Sequence, residues 1–229
     1  MNILNINSYI HKNNLSFPHY QFHKQFIKNG ESSVLLAAKG DLEEDSVLIL
    51  DRFKKIPYFD LTRIIRKLLF GSKKDLAKYY FCPEWNLDFL SVRSIANVLP
   101  FKPDVIITYW TKFFFYQKII HDLSVMFSAP VVTVMVDMAP FTGGCHYSYG
   151  CENFTFGCGK CPALNSSTEN DLSRKTFLQK RDSIEELNIT YVAPSTPLFR
   201  QARSSALLQR KSVELITLGI DENVFSPGD

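Results

Sequence analysis

The chain has 229 residues, 45% of them hydrophobic and 21% charged, with a formal net charge of +3. That is enough chain for one large domain or two small ones around a sizeable core, and the composition excludes general disorder. The mild charge excludes a typical nucleic-acid binder, and no stretch approaches 18 uninterrupted apolar residues, so no membrane span is expected.

The first residues, MNILNINS, lack the basic start and long apolar run of a signal peptide, so the chain reads as cytoplasmic, with reduced thiols. Residues 2–7 alternate as a short strand. A helix follows over 18–29, with Pro18 near its start and Gly30 past its end. Strands are predicted over 33–38 and 47–50, with a turn at Gly40-Asp41 between them. Helical spacing recurs over 61–70 and 88–99. In the first of these, Leu61, Ile64, Ile65, Leu68 and Leu69 form a stripe beside Arg63, Arg66 and Lys67. Such a helix packs its apolar face on a sheet, or lies as a peripheral contact on an anionic inner membrane face.

A strand over 104–109 leads to a helix over 113–127, then to the most apolar strand, 130–136. Residues 137–164 have no periodicity and read as a long loop. The charged helix 171–187 reads as mostly a solvated face. A strand over 190–193, a helix over 197–209 and a last strand over 213–218 complete the pattern. The alternation predicts an α/β fold: a Rossmann-like parallel sheet with helices on both faces. Ligands of such sheets sit beyond the carboxyl ends of the strands, which directs attention to the loop after residue 136.

That loop reads DMAPFTGGCHYSYGCENFTFGCGKCPAL and holds four of the five cysteines: Cys145, Cys151, Cys158 and Cys161. Their C-x5-C-x6-C-x2-C spacing suits one structural tetrahedral zinc, whose binding would supply folding energy to a loop with no periodic core. His146 is a substitute ligand. Free thiols, disulfides and an iron–sulfur cluster are the alternatives. Cys82, alone before Pro83, reads as a small buried hydrophobe. Asp137, first past the strand, is a candidate base or hydrogen-bond acceptor for a sugar, or a cap on the loop backbone. The turn Thr142, Gly143, Gly144 could bring backbone amides close to a sugar hydroxyl or an anion. Trp110 ends its strand as a stacking platform or a core residue, and the loop's aromatic side chains, Tyr147 among them, suit sugar faces.

Taken together, Thr142-Gly-Gly-Cys-His-Tyr147, Cys151, Cys158 and Cys161-Pro-Ala-Leu164 resemble a cysteine-loop subgroup of glycosyltransferase family 4, whose members build cell-surface polysaccharides. Lys102-Pro-Asp-Val-Ile-Ile107 with Trp110, Asp171-Leu-Ser173, Val192-Ala-Pro-Ser195, Leu218-Gly-Ile-Asp221 and Phe225-Ser-Pro227 extend the resemblance over most of the chain.

The resemblance implies the N-terminal half of a GT-B fold. Residues 1–217 would form the acceptor-binding Rossmann-like domain, with 137–164 as its cysteine-rich loop. Residues 218–229 would begin the crossover to a nucleotide-sugar-binding domain that this chain does not contain. The implied activity is hexosyltransferase-type, moving sugar from a nucleotide-sugar donor to a growing polysaccharide or lipid-linked acceptor. Asp137 would be the catalytic residue, and Trp110, Thr142, Gly143, Gly144 and Tyr147 the acceptor-binding residues. Two features depart from the family. Residues 8–17 lack its glycine-rich turn, and Val136 stands where many members have histidine. On the residues alone, a zinc-stabilised glycan- or protein-binding module without catalysis and a redox-sensing cysteine protein stay open.

Overall fold

A computed structural model describes residues 1–53, 78–83, 91–112 and 115–219. The basic helix expected over 61–70 lies outside the described residues, as do 220–229. The helices expected over 88–99 and 113–127 are described in part.

Seven strands form one sheet: β1 (Asn2–Ile10), β2 (Ser32–Gly40), β3 (Val47–Ile49), β4 (Val105–Thr108), β5 (Val131–Val134), β6 (Ile189–Ala193) and β7 (Ser212–Leu215). Their order is β3-β2-β1-β4-β5-β6-β7 and every pairing is parallel. The α/β, Rossmann-like expectation holds. The order reverses between β1 and β4, where a crevice opens in doubly wound sheets.

The described helices are α1 (Pro18–Lys28), α2 (Leu50–Phe53), α3 (Val92–Ala96), α4 (Gln117–Phe127), α5 (Leu172–Ile184) and α6 (Thr196–Ser204). Alternation along the strands sends successive side chains to opposite faces. Ile3, Ile107 and Val134 pack with Phe22 and Phe26 of α1. Their neighbours Leu4, Ile6, Ile106 and Val131 pack with Ile120 and Leu123 of α4 and Phe177 and Ile184 of α5. Both faces of the sheet are therefore covered.

Several boundaries differ from the sequence reading for local reasons. Leu50 opens α2 instead of closing β3. Within the expected helix over 113–127, Tyr116 is extended and caps α4, so that helix starts at Gln117. The expected helix over 197–209 stops at Ser204. There Ser205 turns extended and its hydroxyl donates to Phe141 O at 2.7 Å. Among the described residues no helix is long and apolar enough to cross a membrane.

Helix α1 buries two histidines. The ring nitrogens of His23 meet Ser33 Oγ at 2.9 Å and Ser46 Oγ at 3.0 Å, while His19 Nε2 has no hydrogen-bond partner among the described residues. Burial holds both imidazoles down at about 4, from an ordinary 6.5. The unfolded chain therefore binds more protons between these values, and stability falls as pH drops from about 6.5 towards 4. Urea midpoints measured across that window should fall. The fall should be smaller in His19→Phe, which removes one titrating group and its unpaired nitrogen. An unchanged pH profile in His19→Phe would contradict the assignment.

Candidate functional site

The polar residues of β1 anchor the backbone beside the site. Asn7 Oδ1 accepts the Trp110 N–H at 2.9 Å, and the Ser8 N–H donates to Trp110 O at 2.8 Å. Ser8 Oγ donates to Lys112 O at 2.6 Å. These bonds fix the chain as it leaves β4. Thr108 and Thr133 join the ends of β4 and β5 through their hydroxyls, 2.8 Å apart. Beyond this edge lies a cleft open to solvent, whose lining includes Trp110, Lys112, Gln117, Asp137, Pro140 and Lys180.

Asp137 and His146 form a pair at the edge of this cleft. Asp137 Oδ2 lies 2.6 Å from His146 Nδ1, and Oδ1 accepts the Ala139 N–H at 2.7 Å. Asp137 thus both lines the cleft and caps the loop backbone. His146 is 2% exposed, and its Nε2 has no hydrogen-bond partner among the described residues. Its ring meets Tyr80 edge-on at 4.8 Å and lies 6.2 Å from Trp110. Burial lowers the imidazole below its ordinary value, and the Asp137 carboxylate only partly opposes this. Enclosure keeps His146 from the solvent, so it acts on Asp137 from behind, fixing the direction of the carboxylate. The resemblance implied a histidine directly before Asp137. Val136 stands there, and the imidazole that meets the Asp137 carboxylate is that of His146 in the following loop.

Helix α5 holds the loop in place. Asp171 caps it, accepting Ser173 N–H at 2.9 Å and Arg174 N–H at 3.1 Å, while its second oxygen takes the Cys161 N–H at 2.8 Å. Burial would raise this carboxyl, but the bonds from Ser173, Cys161 and Arg174 outweigh it and hold it below the ordinary carboxylate value. Arg174 Nη1 donates to Phe156 O and Gly157 O, both at 3.0 Å. Gly157 lies at φ +103°, where other residues are strained, and a Cβ there would displace the Arg174 guanidinium from these bonds. Lys180 Nζ donates to Ala139 O at 2.7 Å and Thr142 O at 2.9 Å. The expected solvated face holds at Lys175, Arg181, Glu185 and Glu186 and fails at Lys180. Lys180 is 3% exposed, on the same face as Phe177 and Ile184.

The turn Thr142, Gly143, Gly144 is enclosed and outside the lining of the cleft. Thr142 Oγ1 donates to Cys145 O at 2.6 Å. A Cβ on Gly143 would meet Ser173 O at 2.3 Å, so glycine is required for α5 to approach. Tyr147 is exposed and packs edge-on with Tyr149 at 6.2 Å, and Tyr149 packs with Tyr79 at 5.4 Å.

All five cysteines are free thiols, and Cys82 is buried. Cys145, Cys158 and Cys161 lie within range of one another's charge. Burial pushes Cys145 up to about 11 and Cys158 up to about 12, and raises Cys161. The Gly143 N–H points at Cys158 Sγ from 3.2 Å, and the amides of Ala163 and Leu164 favour charge on Cys161. Among the described residues, no three His, Cys, Asp or Glu side chains converge into a group that could hold a metal ion.

Sequence reasoning missed Lys112, the burial of Lys180 and the pairing of His146 with Asp137. The spacing Thr176, Phe177, Lys180, Ile184 places Lys180 on an apolar stripe, a signal that was present. Removing the cap and its bridge in Asp171→Ala should cost about 2–3 kcal/mol in denaturant unfolding, since it deletes an N-cap and strands buried donors. Arg181→Ala, on the exposed side, should cost under about 0.5 kcal/mol. Equal costs would contradict the clamp. No family model matches the chain, and no curated protein matches it.

Proposed function

We propose that this chain is the acceptor-binding half of an enzyme that transfers a sugar from a nucleotide-sugar donor to a growing polysaccharide or lipid-linked acceptor. The observation that carries the reading is the Asp137 carboxylate, held by His146 and the Ala139 amide at a cleft beyond the carboxyl ends of β4 and β5. In this reading Trp110 stacks on the acceptor ring, and Asp137 accepts a hydrogen bond from the reacting hydroxyl and aims its oxygen. That oxygen bonds to the donor's anomeric carbon. The bond from that carbon to the diphosphate breaks, and the diphosphate leaves with the electron pair. The hydroxyl proton passes to the Asp137 carboxylate that accepts its hydrogen bond. Tyr147 and Tyr149, both exposed, extend the aromatic surface for a longer glycan.

The test is calorimetric titration of the protein with free neutral oligosaccharides and with oligosaccharides carried on a lipid diphosphate. Saturable binding is expected, weakened about tenfold or more in Trp110→Ala and in Asp137→Asn, with near-ultraviolet circular dichroism preserved. A folded protein that binds none of these glycans overturns the reading. Saturable glycan binding that Asp137→Asn leaves unchanged favours the non-catalytic binding module.

The reading also keeps one zinc ion for Cys145, Cys151, Cys158 and Cys161. Its support is the donor chemistry: four thiols in one loop, with amide N–H groups directed at two of the sulfurs. Binding would draw the sulfurs closer than they now stand and would supply folding energy rather than chemistry. Elemental analysis of protein purified without chelator should find about one zinc per chain. Five titratable thiols and no metal would contradict it.

A further inference from the structure

A cluster of tyrosines stands outside the lining of the cleft, where residues 78–83 lie against the start of the cysteine-rich loop. Backbone bonds pin the two segments together. The His146 N–H donates to Tyr79 O at 3.1 Å, and the Cys82 N–H donates to Gly144 O at 2.7 Å. Phe81, 2% exposed, packs with Cys161 and Ala163. On this anchored base Tyr79 and Tyr149 meet edge-on at 5.4 Å, and Tyr149 meets Tyr147 at 6.2 Å. Tyr147 is 54% exposed and Tyr149 58%. Rings this open bury little surface, so packing alone does not explain why three of them meet here.

The backbone beneath them is strained. Tyr80 has φ +46° and Tyr149 φ +47°. Left-handed backbone is unfavourable for a bulky residue and persists only where its surroundings enforce it, a pattern that recurs at ligand clamps. Tyr80 also links the cluster to the cleft. Its ring meets His146 at 4.8 Å, and His146 lies 6.2 Å from Trp110, which lines the cleft. Ring contacts therefore run from Trp110 to Tyr80, and the residue before it, Tyr79, begins the cluster. A row continuous with the cleft suits one chain-like ligand lying across both. Tyrosine offers an apolar face with a hydroxyl at its rim, which matches a sugar better than it matches a purely apolar ligand.

The row ends at a charge. Lys78 Nζ lies 5.6 Å from the centre of the Tyr79 ring and 5.1 Å from that of Tyr149. The two rings attract the ammonium and restrict its long side chain without neutralising it. Lys78 is exposed, so a negative group on a chain lying over the tyrosines meets the ammonium there. One ammonium matches the single charge of one carboxylate.

We propose that the tyrosine cluster holds the outer part of a glycan and that Lys78 pairs with the carboxylate of an acidic sugar in it. The proposal rests on the acceptor reading and narrows it. The acceptor is a uronate-containing chain, with its reacting end at Trp110 and Asp137 and its acidic sugar at Tyr79, Tyr149 and Lys78.

Calorimetric titration with two acidic glycans, each against a neutral counterpart, tests this. The probes are hexagalacturonate with its methyl ester, a hyaluronan hexasaccharide with its carboxyl-reduced form, and hexaglutamate as an acidic peptide. At least one acidic glycan should bind about fivefold more tightly than its neutral counterpart, and the preference should shrink with added sodium chloride. Lys78→Gln should remove the preference while leaving the neutral form bound as before. Tyr149→Ala should weaken both forms about tenfold, with near-ultraviolet circular dichroism preserved; Tyr147→Ala, at a more peripheral ring, carries this arm where Tyr149→Ala is unfolded. Absence of binding to both acidic glycans, equal affinity for acidic and neutral forms, a preference that survives Lys78→Gln, or hexaglutamate binding as tightly as the glycans overturns the proposal. Neutral glycans bound through Trp110 and Asp137 without any acidic preference overturn it and leave the sugar-transfer reading standing. An acidic preference that depends on Lys78 but not on Asp137 sustains this surface and removes that reading.

Discussion

The folded loop depends on the bonds that α5 makes to it. A long aperiodic segment laid over a sheet edge cannot satisfy its own backbone groups, and buried carbonyls and amides without partners are costly. Helix α5 supplies the partners from one side. Asp171 takes the Cys161 amide, Arg174 reaches the carbonyls of Phe156 and Gly157, and Lys180 reaches those of Ala139 and Thr142. The charged partners make these bonds stronger than ordinary amide pairs. Glycines at 143 and 157 let the loop come near enough for them to form.

The clamp has a consequence at the far end of the loop. By fixing Ala139 and Thr142, Lys180 fixes the backbone on which Asp137 turns, because Asp137 bonds the Ala139 amide. His146 then closes the arrangement from the other side. The backbone beside the site is set independently by Asn7 and Ser8 of β1, which bond it at Trp110 and Lys112. Strand, loop and helix therefore meet at one cleft, with the backbone at Trp110 and Lys112 and the Asp137 carboxylate held by bonds from other elements. This is how a sheet edge becomes a preorganised surface instead of an open rim.

Much of the fold was legible because its signals are local. Val131 to Val134 form a continuous apolar run, as a strand buried on both faces must. Pro18 at the start of α1 and Asp171 before α5 mark helix starts by chemistry that needs no tertiary contact. Helix α6 was drawn too long because its end is set by a distant partner, the carbonyl of Phe141.

The site was legible only in part. Asp137 and Trp110 could be placed because strand ends are predictable. The pairing of Asp137 with His146 crosses an aperiodic loop, where no spacing rule applies. The first strand was expected to end at Asn7, with Ser8 beyond it, whereas β1 continues to Ile10 and both residues bond the backbone at Trp110 and Lys112. Lys180 was hidden among Arg174, Lys175 and Arg181, since a charged side chain defaults to solvent unless the burial of its face is weighed first. Amide hydrogen exchange over residues 137–171 tests the central claim, that α5 holds this loop as part of the folded core. The amides of Ala139 and Cys161 should be protected to a degree comparable with those of β4 and β5; exchange there at the rate of an unfolded peptide, while the strands stay protected, would contradict it.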